Sequence, residues 1–301
     1  MSKSEGKKKH QFKGERTRST LIIVAALIVF LVLIMINFAP GYTLILAAVS
    51  AMATYELIKA VGAKSKVLFG VACAVSALSV CAVGFNITIP NVSVFMSFYV
   101  LLMLVLSVVL NKEIKYTDSV MALFASVAVP YSFSCFIRLN NLGDINPMFS
   151  RWEEVFFVAM AFACSWLPDS FAFLVGRKIG KHKMSPNISP KKSVEGAVFG
   201  TLITSAINVI LLFGFGFVAS KFGHETFITE SSMKYLYIVP ITWILAVVSM
   251  FGDLAASVLK RNVGIKDYSN LLPGHGGIMD RFDSTIFVLP VLYGISVLIF
   301  S

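Results

Sequence analysis

Nine runs of apolar residues, separated by short polar segments, account for most of the chain: Leu21–Ala39, Tyr42–Ala60, Val67–Ile89, Val92–Leu110, Ser119–Leu139, Val155–Gly176, Gly196–Ser220, Tyr235–Leu259 and Ser284–Phe300. A helix rises about 1.5 Å per residue and a bilayer's hydrocarbon core is about 30 Å thick, so about 20 apolar residues make one crossing. The pattern predicts an all-α polytopic integral membrane protein with about nine transmembrane helices. The first run is too long for a signal peptide and has no small-residue cleavage site before the second, so it reads as a retained anchor. No internal period of the kind that builds solenoids is visible, and no polar segment is long enough for a separate soluble domain.

Composition agrees with this reading. Hydrophobic residues make up 57% of the 301 and charged residues 14%, with a mean hydropathy of +0.81. Soluble domains carry about 25% charged residues, which excludes an ordinary soluble enzyme; the abundance of Phe, Leu, Ile and Val excludes a disordered chain. The distribution of charge gives the expected sidedness. With the N-terminus inside, 22 of the 26 basic residues fall in inner segments, and only Arg138, Arg151, Lys221 and Lys234 fall in outer ones. Such a bias predicts the N-terminus inside and the C-terminus outside. Residues 1–20 then form a basic cytosolic tail, a topology signal rather than a nucleic-acid arm. Cys73, Cys81, Cys135 and Cys164 all lie in apolar runs without metal-ligand spacing and read as core residues.

Acidic residues inside spans are costly and point to function. Glu56, Asp169 and Asp253 lie in the second, sixth and eighth runs, each within about two turns of the inner end, and Asp283 opens the ninth from the same side. Acids near helix ends can also snorkel or pair with loop lysines, and Glu56 has Lys59 one turn away. Short aspartates reach less far. Transporters tend to gather charge at the midplane, whereas charge at the inner rim suits an anionic cytosolic substrate meeting a lipid headgroup.

Two inner segments stand out. Pro168–Gly196 contains six basic residues, two Ser-Pro steps and Gly176/Gly180, and Ser257–Asp283 contains SVLKRNVGIKDYSNLLPGHGGIMDRFD. On a helix Asp253, Ser257 and Lys260 form one stripe, and Asp280 and Asp283 share a face. Between them, Pro273-Gly274-His275-Gly276-Gly277 is a turn with bare backbone. These residue types suit polyphosphate chemistry. Mg²⁺ is bound by one or two carboxylates plus phosphate oxygens, and Asp253, Asp280 and Asp283 are of that type. Lys and Arg neutralise phosphate, and glycine backbone forms anion nests. His275 either contacts phosphate or fixes the turn. A basic patch on anionic lipid explains the lysines but not the interleaved aspartates. The catalytic loops are therefore expected at about 168–196 and 257–283 of a single transmembrane catalytic domain spanning 21–301.

The segment Ser257–Asp283 resembles the signature of the phosphatidate cytidylyltransferase (CDP-diacylglycerol synthase) family, S-x-L-K-R, K-D and H-G-G-x-x-D-R-x-D, through Ser257, Leu259, Lys260, Arg261, Lys266, Asp267, His275, Gly276, Gly277, Asp280, Arg281 and Asp283. A second stretch is similar, through Asp169, Gly176, Arg177, Ser189, Pro190, Lys191, Lys192, Glu195 and Gly196; Ser193 stands where the family usually has Thr. The resemblance implies transfer of CMP from CTP to phosphatidic acid, giving CDP-diacylglycerol and pyrophosphate, in phospholipid biosynthesis. It implies Mg²⁺ at Asp253 and Asp280, with Asp283 either a third partner or the holder of a basic residue, a second cation such as K⁺, and a homodimer. Lys260, Arg261 and Lys266 are assigned to the triphosphate or pyrophosphate, and Lys191 and Lys192 to the lipid phosphate or CTP. Arg281, His275, Gly276 and Gly277 are expected to bind substrate. Asp169 either organises a basic residue or binds metal, and Ser189 and Asn270 are polar groups available to read cytosine. The expected setting is a bacterial inner membrane, with the site facing the cytoplasm and no nucleic-acid partner. The rival readings are a CTP-dependent lipid-alcohol kinase, a transporter with an inner anion site, and a lipid-binding scaffold.

Overall fold

A computed structural model of the chain describes residues 21, 24–88, 91–145, 147, 149–186, 188–224, 234–271 and 276–300. The basic tail of residues 1–20, and Pro273, Gly274 and His275 of the glycine turn, lie outside the described residues. The elements are helices α1 (Val24–Met35), α2 (Ala39–Ala60), α3 (Lys66–Gly84), α4 (Val92–Val109), α5 (Tyr116–Leu139) and α6 (Arg151–Ile179); strands β1 (Lys183–Ser185) and β2 (Ser189–Ser193); then helices α7 (Val194–Lys221), α8 (Ile238–Asn262), α9 (Met279–Phe282) and α10 (Thr285–Phe300).

Among the described residues, eight helices are long and apolar enough to cross a membrane, with α9 and α10 counted together as one span, Met279–Ile299; α1 is a shorter apolar helix. The protein is a helical, polytopic integral membrane protein. Large apolar side chains face outward on α4, where Phe95, Phe98, Leu101, Leu104 and Val108 are exposed. Small and hydroxylated residues such as Ser50, Thr54, Ser76, Thr204 and Ser249 are buried. Hydrocarbon solvates the former, and small residues let helix backbones approach.

The chain divides into two compact units, Met1–Tyr131 with Val263–Arg281, and Ser132–Asn262 with Phe282–Ser301. In the first unit α2 and α3 pack closely. Ser50 Oγ lies 2.7 Å from Ser76 Oγ, and Thr54 Oγ1 donates to the same oxygen at 2.9 Å. A Cβ at Gly84 would strike the Thr43 side chain.

In the second unit α6 and α7 share a seam of small residues. A Cβ at Gly200 would lie 2.6 Å from the Pro168 carbonyl oxygen, and one at Gly196 would meet the Ala172 carbonyl. Gly196, Gly200 and Thr204 recur every four residues, as do Pro168, Ala172 and Gly176, which places each set on one helix face. Asn208 of α7 donates to Thr242 Oγ1 of α8 at 3.2 Å, and Ser249 of α8 to the Ser165 carbonyl of α6 at 3.1 Å.

Both expected loops are shorter than the sequence pattern indicates. α6 continues through Pro168 to Ile179, and the remainder forms an antiparallel hairpin pairing Lys183 with Ser193 and Ser185 with Ser189, irregular between the two pairs. The second loop begins only after Asn262. α9 ends at Phe282, and a turn at Asp283–Ser284, which holds the second of the two aspartates, separates it from α10.

Candidate active site

Each unit holds a polar cluster that contains acidic residues singled out in the sequence. In the second unit, α6 carries Asp169, β2 carries Lys192 and α8 carries Asp253. Lys192 Nζ bridges the two aspartates, 2.6 Å from Asp169 Oδ1 and 2.6 Å from Asp253 Oδ2. The hairpin makes this possible. Ser193, which ends β2, caps α7 by accepting the Gly196 N–H at 3.2 Å, and Gly176 and Gly180 leave room for its hydroxyl. With the strand anchored there, Lys192 is turned toward α6 and α8. Only the hydroxyl is used in the cap, so serine serves where the family pattern has threonine.

Burial opposes the charge on Lys192, but the carboxylates of Asp169 and Asp253 outweigh it and raise its pKa above the usual lysine value. Asp283 lies next to this bridge along the chain from Ser284. Its Oδ1 accepts the Ser284 N–H at 2.7 Å, and its Oδ2 is 3.9 Å from Lys260 Nζ of α8. Ser284 Oγ donates a long bond of 3.4 Å to Asp169 Oδ2. Gly252 allows α8 to pass here; a Cβ on it would lie 3.0 Å from Ser284 Cα and 3.2 Å from the Asp283 carbonyl oxygen. Arg261 is exposed at the end of α8, and Lys191 is exposed on β2 beside half-buried Ser189.

In the first unit, Glu56 of α2 is buried and does not pair with Lys59. Its Oε1 accepts Ser269 Oγ–H at 2.6 Å and Ile278 N–H at 3.1 Å, and its Oε2 accepts Met279 N–H at 2.7 Å. Asp280 Oδ2 accepts the backbone N–H groups of Tyr268 and Gly277, both at 2.8 Å. The two carboxylates tie both ends of the 268–280 segment, one to a membrane helix and one to the segment itself.

The paired glycines follow from this. Gly276 has φ +81° and a Cβ there would lie 2.7 Å from Asp280 Oδ2, while a Cβ on Gly277 would run into the Glu56 carboxylate. Lys266 and Arg281 are exposed in this unit.

The structure thus brings Asp169, Lys192, Asp253, Lys260 and Asp283 together in the second unit and sets Gly276, Gly277 and Asp280 around Glu56 in the first. Among the described residues no group of three or more His, Cys, Asp or Glu is arranged as a metal cage. Sequence reasoning missed Tyr268, Ser269 and Ser284, and it left Glu56 without a role. Tyr268 acts through its backbone, so no side-chain signal could reveal it; Ser269 and Glu56 are 213 positions apart.

The motifs and the helices agree with a comparison against known proteins. Residues 16–299 match the cytidylyltransferase family. The chain belongs to this family. Three similar proteins bear the name phosphatidate cytidylyltransferase. The one from Bacillus subtilis (strain 168) is 30% identical over 280 residues, covering 90% of this chain and 93% of that protein. The one from Staphylococcus aureus (strain COL) is 34% identical over 197 residues, 65% of each chain. The one from Staphylococcus saprophyticus (strain ATCC 15305) is 39% identical over 143 residues, 48% of this chain and 50% of that protein. This cytidylyltransferase-family member is therefore a nucleotidyltransferase embedded in a membrane.

Proposed function

We propose that the enzyme transfers CMP from CTP to phosphatidic acid, releasing CDP-diacylglycerol and pyrophosphate. The observation that carries the reading is the Asp169–Lys192–Asp253 bridge at the end of membrane-crossing helices, where carboxylates and a held cation converge. A lipid phosphate and a water-soluble nucleotide can meet only at such a membrane surface. The relatives' name supplies the substrate pair.

One oxygen of the lipid phosphate attacks the α-phosphorus of CTP. A new P–O bond forms as the bond from the α-phosphorus to the bridging oxygen breaks, and pyrophosphate leaves with the electron pair. Positioning and charge neutralisation suffice, without a protein nucleophile. Lys260, Arg261 and Lys266 neutralise the triphosphate, and Lys191 and Lys192 serve the lipid phosphate or CTP. Asp169 holds Lys192 in place. Ser189, His275, Gly276, Gly277 and Arg281 keep their substrate-binding assignment.

The donor chemistry suits Mg²⁺, because Asp253 and Asp283 are carboxylates on neighbouring elements of one unit and this ion needs only one or two carboxylates beside phosphate oxygens and water. Asp253, Asp280 and Asp283 would hold it, and it would supply neutralisation of charge on the phosphates. A second cation such as K⁺, a homodimer, nine spans with the N-terminus inside and the C-terminus outside, and a bacterial inner membrane with the site toward the cytoplasm complete the proposal.

The test incubates purified protein in detergent or lipid with phosphatidic acid and α-³²P-CTP, with and without Mg²⁺. Label should enter the lipid, only with Mg²⁺, and Asp253→Asn should abolish this. Label appearing solely in CDP would indicate a lipid-alcohol kinase and overturn the reading.

A further inference from the structure

The first unit contains a cleft of about 440 Å³ lined by Ala51, Met52, Tyr55, Glu56 and Lys59 of α2, Cys73 of α3, and Ser269, Asn270 and Leu271 of the segment after α8. That volume is in the range of small-ligand sites. Met52, Tyr55 and Lys59 are exposed and fall at i, i+3 and i+7, one stripe of a membrane-spanning helix. The cleft therefore opens sideways from α2, toward the medium that surrounds a spanning helix, and its wall there is apolar. Its other end is polar. Lys59 stands in the last turn of α2, beside the segment held by Glu56, with Ser269 and Asn270 opposite.

Lys59 Nζ lies 5.6 Å from the centre of the Tyr55 ring, and the Tyr55 ring packs at 4.9 Å on Phe69 of α3. No carboxylate among the described residues forms an ion pair with Lys59. Glu56, the nearest acid in sequence, gives its oxygens to Ser269, Ile278 and Met279. A cation held on an aromatic face, at the rim of an apolar slot that opens laterally, has the two halves of an anionic amphiphile's complement: point charge for a phosphate and hydrocarbon wall for a chain.

From this geometry we infer that the α2–α3 cleft is a binding subsite for one molecule of anionic glycerophospholipid, with its phosphate on Lys59 and an acyl chain along Met52, Tyr55 and Cys73. This deepens the proposed function, on which it rests for the identity of the lipid as phosphatidic acid. Ser269 joins the cleft to the Glu56-held segment, so an occupied cleft would place the lipid beside the loop that carries the family signature. Met52 suits such a wall, since its unbranched chain adapts to a flexible partner. The cleft's depth along α2 is short: Met52 to Lys59 spans seven residues, about 10 Å at 1.5 Å each, which accommodates the upper part of one chain and leaves the remainder in bilayer.

The experiment uses full-length protein in phosphatidylcholine vesicles with a phosphatidic acid that carries a photoreactive diazirine in one acyl chain. After irradiation, adducts are mapped by peptide mass spectrometry. Adducts are expected on Met52, Tyr55 or Cys73 that unlabelled phosphatidic acid displaces and excess phosphatidylcholine does not. Lys59→Gln should weaken that displacement by about fivefold, the scale of one partly exposed charge contact, and Lys59→Arg should restore it. In the radiolabel assay Lys59→Gln should raise the KM for phosphatidic acid by a similar factor while the KM for CTP stays unchanged. Equal displacement by both lipids would mean ordinary boundary lipid and overturn the inference, as would a rise in the KM for CTP alone. Specific adducts at these residues in a preparation that transfers no CMP would sustain the cleft and refute the reaction; CMP transfer without such adducts would do the reverse.

Discussion

Replacing Glu56 by Gln removes one charge and almost no volume, and it tests whether α2 holds the signature segment in working geometry. Three donors converge on this carboxylate: Ser269 Oγ–H on Oε1 at 2.6 Å, Ile278 N–H on Oε1 at 3.1 Å and Met279 N–H on Oε2 at 2.7 Å. An amide keeps one acceptor oxygen and points an NH₂ at the other partner. If the oxygen stays toward Ser269 and Ile278, the Met279 N–H faces a donor and is left without its acceptor. A hydrogen bond to a charged group contributes about 1.5–3 kcal/mol and an unsatisfied buried donor costs about 1–3 kcal/mol. Glu56 is 3% exposed, so water recovers little of this.

A loss of about 3 kcal/mol in the holding of the segment corresponds to a factor on the order of 100. Hydrogen exchange at Ile278 and Met279 should therefore accelerate by about that factor, while amides in the middle of α3 keep their protection. Turnover of CTP should fall by at least about tenfold. Unchanged exchange at Ile278 and Met279 would refute the reasoning, and so would loss of protection throughout α2 and α3, which would mark a folding defect instead of a released segment. Glu56→Asp, one methylene short, should show the same exchange signature to a smaller degree.

Lys192→Gln leaves Asp169 and Asp253 facing each other without their shared cation; breaking a buried ion pair costs about 3–5 kcal/mol and this half-buried one less, so thermal unfolding in detergent should shift down and transfer should fall about tenfold or more. Because the folded pKa of Lys192 is raised, its stabilising charge is fully present below about pH 10.4 and is lost only as pH rises through the still higher folded value. The difference in unfolding temperature between wild type and Lys192→Gln should stay flat from neutral pH to about pH 10 and narrow above it; narrowing near neutrality would overturn the account. Gly277→Ala drives a methyl into the Glu56 carboxylate, and should lower transfer by about tenfold or more with exchange at Ile278 rising as in Glu56→Gln. Ser193→Thr retains the oxygen that caps α7 and should leave unfolding temperature unchanged, whereas Ser193→Ala should cost about 1 kcal/mol in denaturation.

The two clusters differ in how far they could be read from the chain. Asp253 and Lys260 sit about two turns apart on one stripe of α8, and local periodicity places them on one face. Lys192 could be marked as a phosphate-type cation, but its two aspartate partners lie 23 and 61 positions away, and only the hairpin and the small-residue seam of α6 and α7 decide that it bridges them. The paired glycines suggest a bare anion nest in the sequence. In the folded protein the Gly277 N–H goes instead to Asp280, and the missing side chain makes space for Glu56.

By itself, the order of residues determined the apolar runs, the uneven sharing of basic residues among the polar segments, and the spacing that marks the family, because each rests on local length, charge count or fixed separation along the chain. The tertiary structure decided what Glu56 does, where α6 ends and where the turn before α10 falls, and which cations the aspartates hold. Those outcomes depend on close approach between helices far apart in sequence. Such approach is permitted by Gly176, Gly196, Gly200 and Gly252, whose effect is the absence of a side chain and leaves no polar signal to read in advance.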